Sequence, residues 1–413
     1  QGELILDNTI IAGNTSGSDS KDLGSTGPGE AVTSLGGNVI GNNFDSDSFF
    51  PVGLPNINGD LVGTPTLPLD PLLGPLSDHG GPTLTMRPLA GSPAIDGGAD
   101  LRCTFEDQRS NPRTSGFAPD SGAVEMVSII VNTAADENDG IAAGAISLRD
   151  AVGHVATPPV ELVSFDPGIF PVAGPITLTN GQISVSQDVT IDATGIADGV
   201  TVSGNDATRI FRVTAGTTAS IDSLTLTEGR SSLGGAIENR GVLSLNRVNL
   251  VGNTSTSRAG AIYTLPAATA ELTIRNSTLS GNTSNDLGGA IVNEGPLTII
   301  NSTLADNSTT GSGGSRIGGA IFSFDVPLTL ISSTITGNSA SGSAGGVRPP
   351  NGPFTIENTI VAGNSAPNGP DLQGGSGTYL ITCLLYTSPS PRDEQFHLVC
   401  RLLLEKRGGG GGG

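Results

Sequence analysis

The feature that restricts this chain most is a glycine motif rewritten every 25 to 30 residues. "LGGAIENRG" from Leu233, "RAGAIYTLP" from Arg258, "LGGAIVNEG" from Leu287, "IGGAIFSFD" from Ile317 and "SAGGVRPPN" from Ser343 place the leading Gly or Ala at 234, 259, 288, 318 and 344. A phosphate-cradling glycine loop occurs once per domain, between a strand and a helix. Recurrence at this period instead signals stacked structural units. The glycines are therefore expected to be scaffold, with Gly235, Gly289 and Gly319 at crowded corners.

The segment after each motif repeats without a gap: "LSLNRVNLVGN" (243–253), "LTIRNSTLSGN" (272–282), "LTIINSTLADN" (297–307), "LTLISSTITGN" (328–338) and "FTIENTIVAGN" (354–364). An isolated copy, "LILDNTIIAGN", stands at 4–14. Apolar residues at its first and third positions give the period-2 signature of a strand with one buried face. A polar corner follows, then a second short apolar strand, then Gly-Asn. No 3.6-residue apolar rhythm intervenes, and the period is too short for a βαβ unit. The pattern predicts an all-β fold of about three short strands per turn, wound as a right-handed parallel β-helix, a solenoid whose coils hydrogen-bond along the axis. Asn253, Asn282, Asn307, Asn338 and Asn364 are then expected to form a ladder of amides that satisfies corner backbone groups.

Composition narrows the functional classes. The 413 residues include 61 Gly, about twice ordinary usage, in keeping with a set of tight turns in every repeat. Net charge is −20, with Lys21 and Lys406 the only lysines, so nucleic-acid phosphates would be repelled. Trp is absent and aromatics make up 4%, a poor basis for a sugar-stacking platform. Cys103, Cys383 and Cys400 make no disulfide framework, and no run of apolar residues is long enough to span a membrane. The opening "QGELILDN" reads as the interior of a longer protein.

A coil stack exposes its core at both ends and needs covers. Upstream of the coils, "ISLRDAV" gives a capping-box-like helix start, Ser147 with Asp150, and Leu148, Ala151, Val152 and Val155 fall on one face until Pro158 and Pro159 stop the helix. This motif resembles the start of the CSLREA domain, a module that opens many bacterial secreted β-helix proteins, with Ile146 in place of its Cys and Asp150 in place of its Glu. "DPLLGPLSDHGGPTLTMRPLAGSPAIDGG" and "DQRSNPR" within 31–126 resemble the choice-of-anchor Q domain, which in its family follows a β-helix and precedes a surface anchor.

These resemblances imply an order along the chain: 1–30, the last coil of a preceding β-helix; 31–126, a closing module without coil period; 127–170, an N-terminal cap; 171–375, a pectin-lyase-like parallel β-helix; 376–413, a truncated continuation. Residues 365–375 parallel 15–25, as if a second closing module began. "CLLYTSPSPRD" resembles translated adapter DNA and the final glycines a guanine homopolymer, so 383–413 are expected to lie outside the fold, with no strand pattern.

Candidate chemistry is sparse. Coils 171–375 contain no His and no Asp-Asp pair, whereas lyases and hydrolases of acidic sugars need clustered carboxylates with a basic partner. Glu238 and Glu294 are read as equivalent positions after "GGAI", two coils and about 10 Å apart, and as solvated corner residues. Asp78 and His79 are read as a structural loop of the closing module, and Arg149 as an anchor of the cap helix. "DENDG" places Asp136, Asn138 and Asp139 at spacing that suits calcium, although no bidentate Glu follows. The expectation is a monomeric, non-enzymatic, secreted or cell-surface repeat protein, adhesin-like, binding a glycan or matrix component. No cofactor is expected; calcium at Asp136, Asn138 and Asp139 is the reading set against a plain acidic surface turn. The alternative is a polysaccharide lyase or glycoside hydrolase.

Overall fold

The computed structural model describes residues 3–14, 22–23, 31–44, 46–89, 92–99, 104–113, 118–141, 144–154, 161–170, 173–267, 269–311, 315–373, 378–382 and 385–386. The chain is nearly all β and forms a parallel solenoid. It divides into two compact units: 1–176 with 185–200 and 218–224, and 177–184 with 201–217 and 225–413.

In the second unit the repeat becomes a set of strand rows in strict register. One row runs through Val242–Asn246, Glu271–Arg275, Leu297–Ile300, Leu328–Ile331, Phe354–Glu357 and Tyr379–Thr382, all parallel. A second runs through Asn249–Val251, Thr278–Ser280, Thr303–Ala305, Thr334–Thr336 and Ile360–Val361. The row that carries the glycine motif holds Phe211–Val213, Ile237–Asn239, Ile262–Thr264, Ile291–Asn293, Ile321–Ser323 and Val347–Arg348. Register is fixed because a one-residue slip would turn every aliphatic side chain outward. Leu250 thus lies on Leu279, Leu279 on Leu304 and Leu304 on Ile335, all wholly buried.

The structure adds a row that the three-strand reading lacks: Arg230–Leu233, Thr254–Arg258, Thr283–Ser284, Ser308–Thr309 and Ser339–Ala340. Its inward positions are Ser255, Ser284, Thr309 and Ala340, small or polar yet buried. Without aliphatic alternation, the sequence pattern carries no strand signal there. Leu385–Tyr386 also pairs in parallel with Ile360–Val361, so a short strand exists where none was expected; the remainder of 383–413 lies outside the described residues.

The corner glycines act in two ways. The leading residue has left-handed backbone in every copy, including Ala259 and Ala344, so the site demands positive φ more than it demands Gly. The following glycine is there for space. A Cβ on Gly289 would lie 2.5 Å from the Ser308 amide nitrogen and inside the van der Waals surface of the Gly319 carbonyl oxygen, and Gly235 and Gly319 face the next coil in the same way.

The amide ladder is complete. Asn282 Oδ1 accepts from the backbone N and the Nδ2 of Asn253, each at 3.0 Å, and Asn307, Asn338 and Asn364 repeat the arrangement. Each Nδ2 also donates to a carbonyl of the preceding coil, such as Leu250 for Asn282. Backbone groups that would otherwise be buried unpaired are satisfied throughout.

The ladder ends on a carboxylate. Asp371 Oδ1 accepts the backbone N and Nδ2 of Asn364 at 3.0 and 2.9 Å. The first unit repeats this ending twice: Asn14 donates to Asp22, and Asn38 donates to Asp60, through both backbone N and Nδ2. In all three places the acid precedes Leu. A carboxylate accepts but cannot pass the chain of donors onward as an amide does, so the ladder stops there. Replacing Asp371 by Asn should keep the acceptor and cost under about 1 kcal/mol, whereas Asp371→Leu strands two buried donors at about 1–3 kcal/mol each. Urea unfolding of the two variants separates these values; equal stability would remove the terminator role.

The first unit is built on short parallel pairs. Glu3–Leu6 pairs with Ala31–Ser34, while Ile10–Ile11, Val39–Ile40 and Leu61–Val62 form a second sheet. Strand pairing therefore continues past residue 30 into the region read as lacking coil period; the intervals vary, which hides it from a periodicity search. Ser128–Val131 then pairs with Leu162–Phe165, which pairs with Val189–Asp192, which pairs with Thr218–Asp222. Helix α1, Leu148–Gly153, packs on the first two of these strands with Leu148, Ala151 and Val152 buried. Its capping box is formed as expected, Ser147 Oγ accepting the Asp150 amide and Asp150 reaching back to the Ser147 amide. Burial alone would raise the Asp150 carboxyl, but hydrogen bonds from Ser147 and Gly140 hold it below the usual range. The helix ends at Gly153 with His154 as its extended C-cap, and Val155 to Pro159 lie outside the described residues.

Candidate functional site

The polar side chains on the outer face of the motif row of the second unit converge most. In strand geometry the residue after the buried Ile points outward, and register aligns Arg212, Glu238, Tyr263, Val292, Phe322 and Arg348 in one column. The sharp glycine corner folds Leu233, Leu287 and Ile317 against this column, so Tyr263, Val292 and Phe322 form a second apolar cluster outside the coil interior, with Leu265 and Phe324 at its edge. Phe324 meets Phe322 edge-on at 4.9 Å, and the guanidinium of Arg348 stands 5.0 Å over the Phe322 ring.

Glu238 is 5% exposed, not a solvated corner residue. It is compensated by three arginines: Arg209 Nη2 at 2.9 Å from Oε2, Arg240 Nε at 2.7 Å from Oε1, and Arg212 Nε at 3.3 Å from Oε1. The Arg212 nitrogen lies off the hydrogen-bond axis and holds Glu238 by charge rather than by a formed bond. Arg209 is anchored further by Gln182, Ser231 and the carbonyls of Leu233 and Gly234.

Nor are Glu238 and Glu294 equivalent. Glu238 shares the column of Val292, and Glu294 stands two residues beyond Val292, where a shared "GGAI" start misaligns them. Glu294 accepts the Tyr263 hydroxyl and lies 3.8 Å from Arg258. Burial, and then the Glu294 carboxylate, push the Tyr263 hydroxyl up to about 12. No arginine of this face is singled out from the sequence; the signal available was Arg212 and Arg348 in a column whose middle coils carry Tyr263, Val292 and Phe322.

The first unit has a cleft of about 230 Å³ lined by Ser92, Asp96, Ser164, Phe165, Asp192 and Thr194, among others. Asp192 lies beside Asp222 on the neighbouring strand, both buried, so register creates the acid pair that the linear sequence lacks. Asp192 Oδ1 accepts the Thr194 amide and Asp96 Oδ1 that of Ala118.

The calcium-like loop does not assemble as a ligand set. Asp136 is bidentate to Arg149, at 2.7 and 3.1 Å, whereas Asn138 and Asp139 are exposed. Gly140 N donates to Asp150, which ties the loop to the start of α1. Arg149 thus has the anchoring role expected of it. Among the described residues no three of His, Cys, Asp and Glu approach closely enough to hold a metal ion. Asp78 caps the Gly80 amide and does not pair with His79, whose imidazole pKa is lowered by burial and then by Arg87.

A buried ionic network joins 104–126 to the strand at Leu162. Arg109 bonds Asp107, Glu161 and the Glu125 carbonyl, while Asp120 accepts the amides of Asp96 and Met126 and its own amide donates to Glu125. Burial, and then the neighbouring Glu125 carboxylate, raise Asp120 to about 8. A carboxyl raised from 3.8 favours the fold most below pH 3.8, and that contribution is lost as pH rises through about 8. Exchange of the Asp96 and Met126 amides should therefore accelerate from about pH 4 to about 8, after correction for intrinsic rates. Asp120→Asn should flatten the dependence; an unchanged slope would refute the assignment.

Comparison of the chain with protein-family models, curated proteins and solved structures gives no match. Among the described residues no helix is long and apolar enough to cross a membrane.

Proposed function

We propose that the protein is a non-enzymatic, secreted or cell-surface binding scaffold, monomeric, with the solenoid as a stiff spacer and the motif-row face of the second unit as its ligand-contacting surface. One observation carries this reading: on that face the acids are committed to internal partners, Glu238 to three arginines and Glu294 to Tyr263, while the guanidiniums of Arg212 and Arg240 remain partly exposed. A general base or acid needs a carboxylate that can reach substrate and exchange a proton. A contact surface needs rigid polar and aromatic groups held in place, and this face offers them.

Secretion and a right-handed wind rest on the resemblance to CSLREA-type and choice-of-anchor Q modules; the formed capping box of α1 supports the first resemblance. The second reading, a polysaccharide lyase or glycoside hydrolase, draws on Asp192, which lines the cleft of the first unit, and on Asp222 next to it in strand register. The test is incubation of the full chain with neutral and acidic polysaccharides, assayed for new reducing ends and for unsaturated uronate absorbance. No turnover is expected. Turnover abolished by Asp192→Asn would replace the scaffold by the enzyme.

A further inference from the structure

We propose that Arg212 and Arg240 form a fork pair that binds an oxyanion, carboxylate or sulfate, carried by a glycan chain. This deepens the scaffold reading and depends on it.

The argument starts from Glu238. Arg209, buried and hydrogen-bonded behind it, fixes one carboxylate oxygen at 2.9 Å. The other oxygen accepts the Nε–H of Arg240 and holds the Nε of Arg212 by charge at 3.3 Å. A guanidinium that turns its Nε inward keeps both Nη groups for an outer partner. Among the described residues no protein group bonds those Nη groups, and the two side chains are 38% and 36% exposed. Two forks therefore lean on one buried anchor, with little left to order on binding.

Charge gives the ligand its sign. Three guanidiniums against one carboxylate leave two positive charges, in a chain of net charge −20. The charges acting on Arg209 are Glu238, Arg212 and Arg240, with no second acid among them. At about 0.1 M salt the repulsion of the distant acidic surface is screened beyond about 10 Å, so short-range fork contacts decide what stays bound. Planar carboxylate and tetrahedral sulfate both match a guanidinium fork.

The strand rows select the carrier. Phe211–Val213, Ile237–Asn239 and Ile262–Thr264 spend their backbone groups on one another in a parallel ladder. An extended peptide therefore finds no free edge here to add to as a strand. A sugar chain needs no such edge.

The test uses the full chain and four immobilised probes at about 0.1 M salt: alginate (carboxylated), dextran sulfate (sulfated), dextran (neutral) and poly-glutamate (peptide). Retention on alginate, dextran sulfate or both is expected, and which of them binds names the oxyanion. The Arg212→Gln/Arg240→Gln variant should bind at least about tenfold more weakly, since charge-assisted bonds are lost on both forks. Arg275→Gln, exposed elsewhere, should bind as the wild type does. If the double Gln variant fails to melt cooperatively, Arg212→Lys/Arg240→Lys decides; it keeps charge, loses the forks, and should still weaken binding several-fold. Undiminished binding by a folded double variant, tighter binding to poly-glutamate than to either charged glycan, or retention on neither charged glycan would overturn the site. Retention on dextran alone, equal in the variants, would overturn the site and leave the scaffold reading standing.

Discussion

Leu279→Asp should abolish cooperative folding of the second unit, seen as loss of its thermal transition in the full chain. Leu279 is wholly buried between Leu250 and Leu304, so the substitution removes about 1.5–3 kcal/mol of apolar burial. The larger cost is the carboxylate, taken from water into a column of aliphatic side chains; in such a place a charge forces its own protonation or the opening of the structure. Solenoid stability is approximately a sum over coils and their interfaces, and this change damages one coil and both of its interfaces. Leu279→Ala provides the scale, at about 2–5 kcal/mol for the cavity alone. A Leu279→Asp protein that melted within a few degrees of the wild type would mean that this column is not the interior.

Gly289→Val is expected to rank next, at about 4 kcal/mol or more. Its Cβ would meet backbone on two neighbouring segments, the Gly319 carbonyl and the Ser308 amide, and backbone held by ladder hydrogen bonds cannot yield as a side-chain tip does. Glu294→Ala is the comparison. It frees Arg258 and leaves the Tyr263 hydroxyl without its acceptor, for about 1–2 kcal/mol. Chemical denaturation of both proteins measures the difference directly. Equal destabilisation would show that the glycine column is not set by inter-coil contact.

How far the sequence could be read follows from what repeats. The aliphatic columns and the Asn ladder recur at fixed positions in every coil, and a periodic solenoid must bring like positions together, so Leu279 and Asn307 could be placed from the text alone. The Ser/Thr row was hidden because Ser255 and Ser284 look like loop residues; only neighbours that satisfy their hydroxyls and fill the space make them interior. The first unit was less legible because its strand intervals vary, and the ladder ending at Asp60 was missed for that reason.

The candidate site was illegible for a related cause. Arg209, Arg212, Glu238 and Arg240 are each ordinary polar residues at different places in different repeats, and no spacing rule joins them. Asp192 and Asp222 likewise become neighbours only through strand register. By itself the sequence determined the winding chain, its buried columns, its corner glycines and the capped helix, because each follows from local pattern summed over repeats. The tertiary structure alone decided which charges meet, which of them are spent on one another and which guanidiniums are left outward, because pairing across coils depends on register and on burial to within a few ångströms.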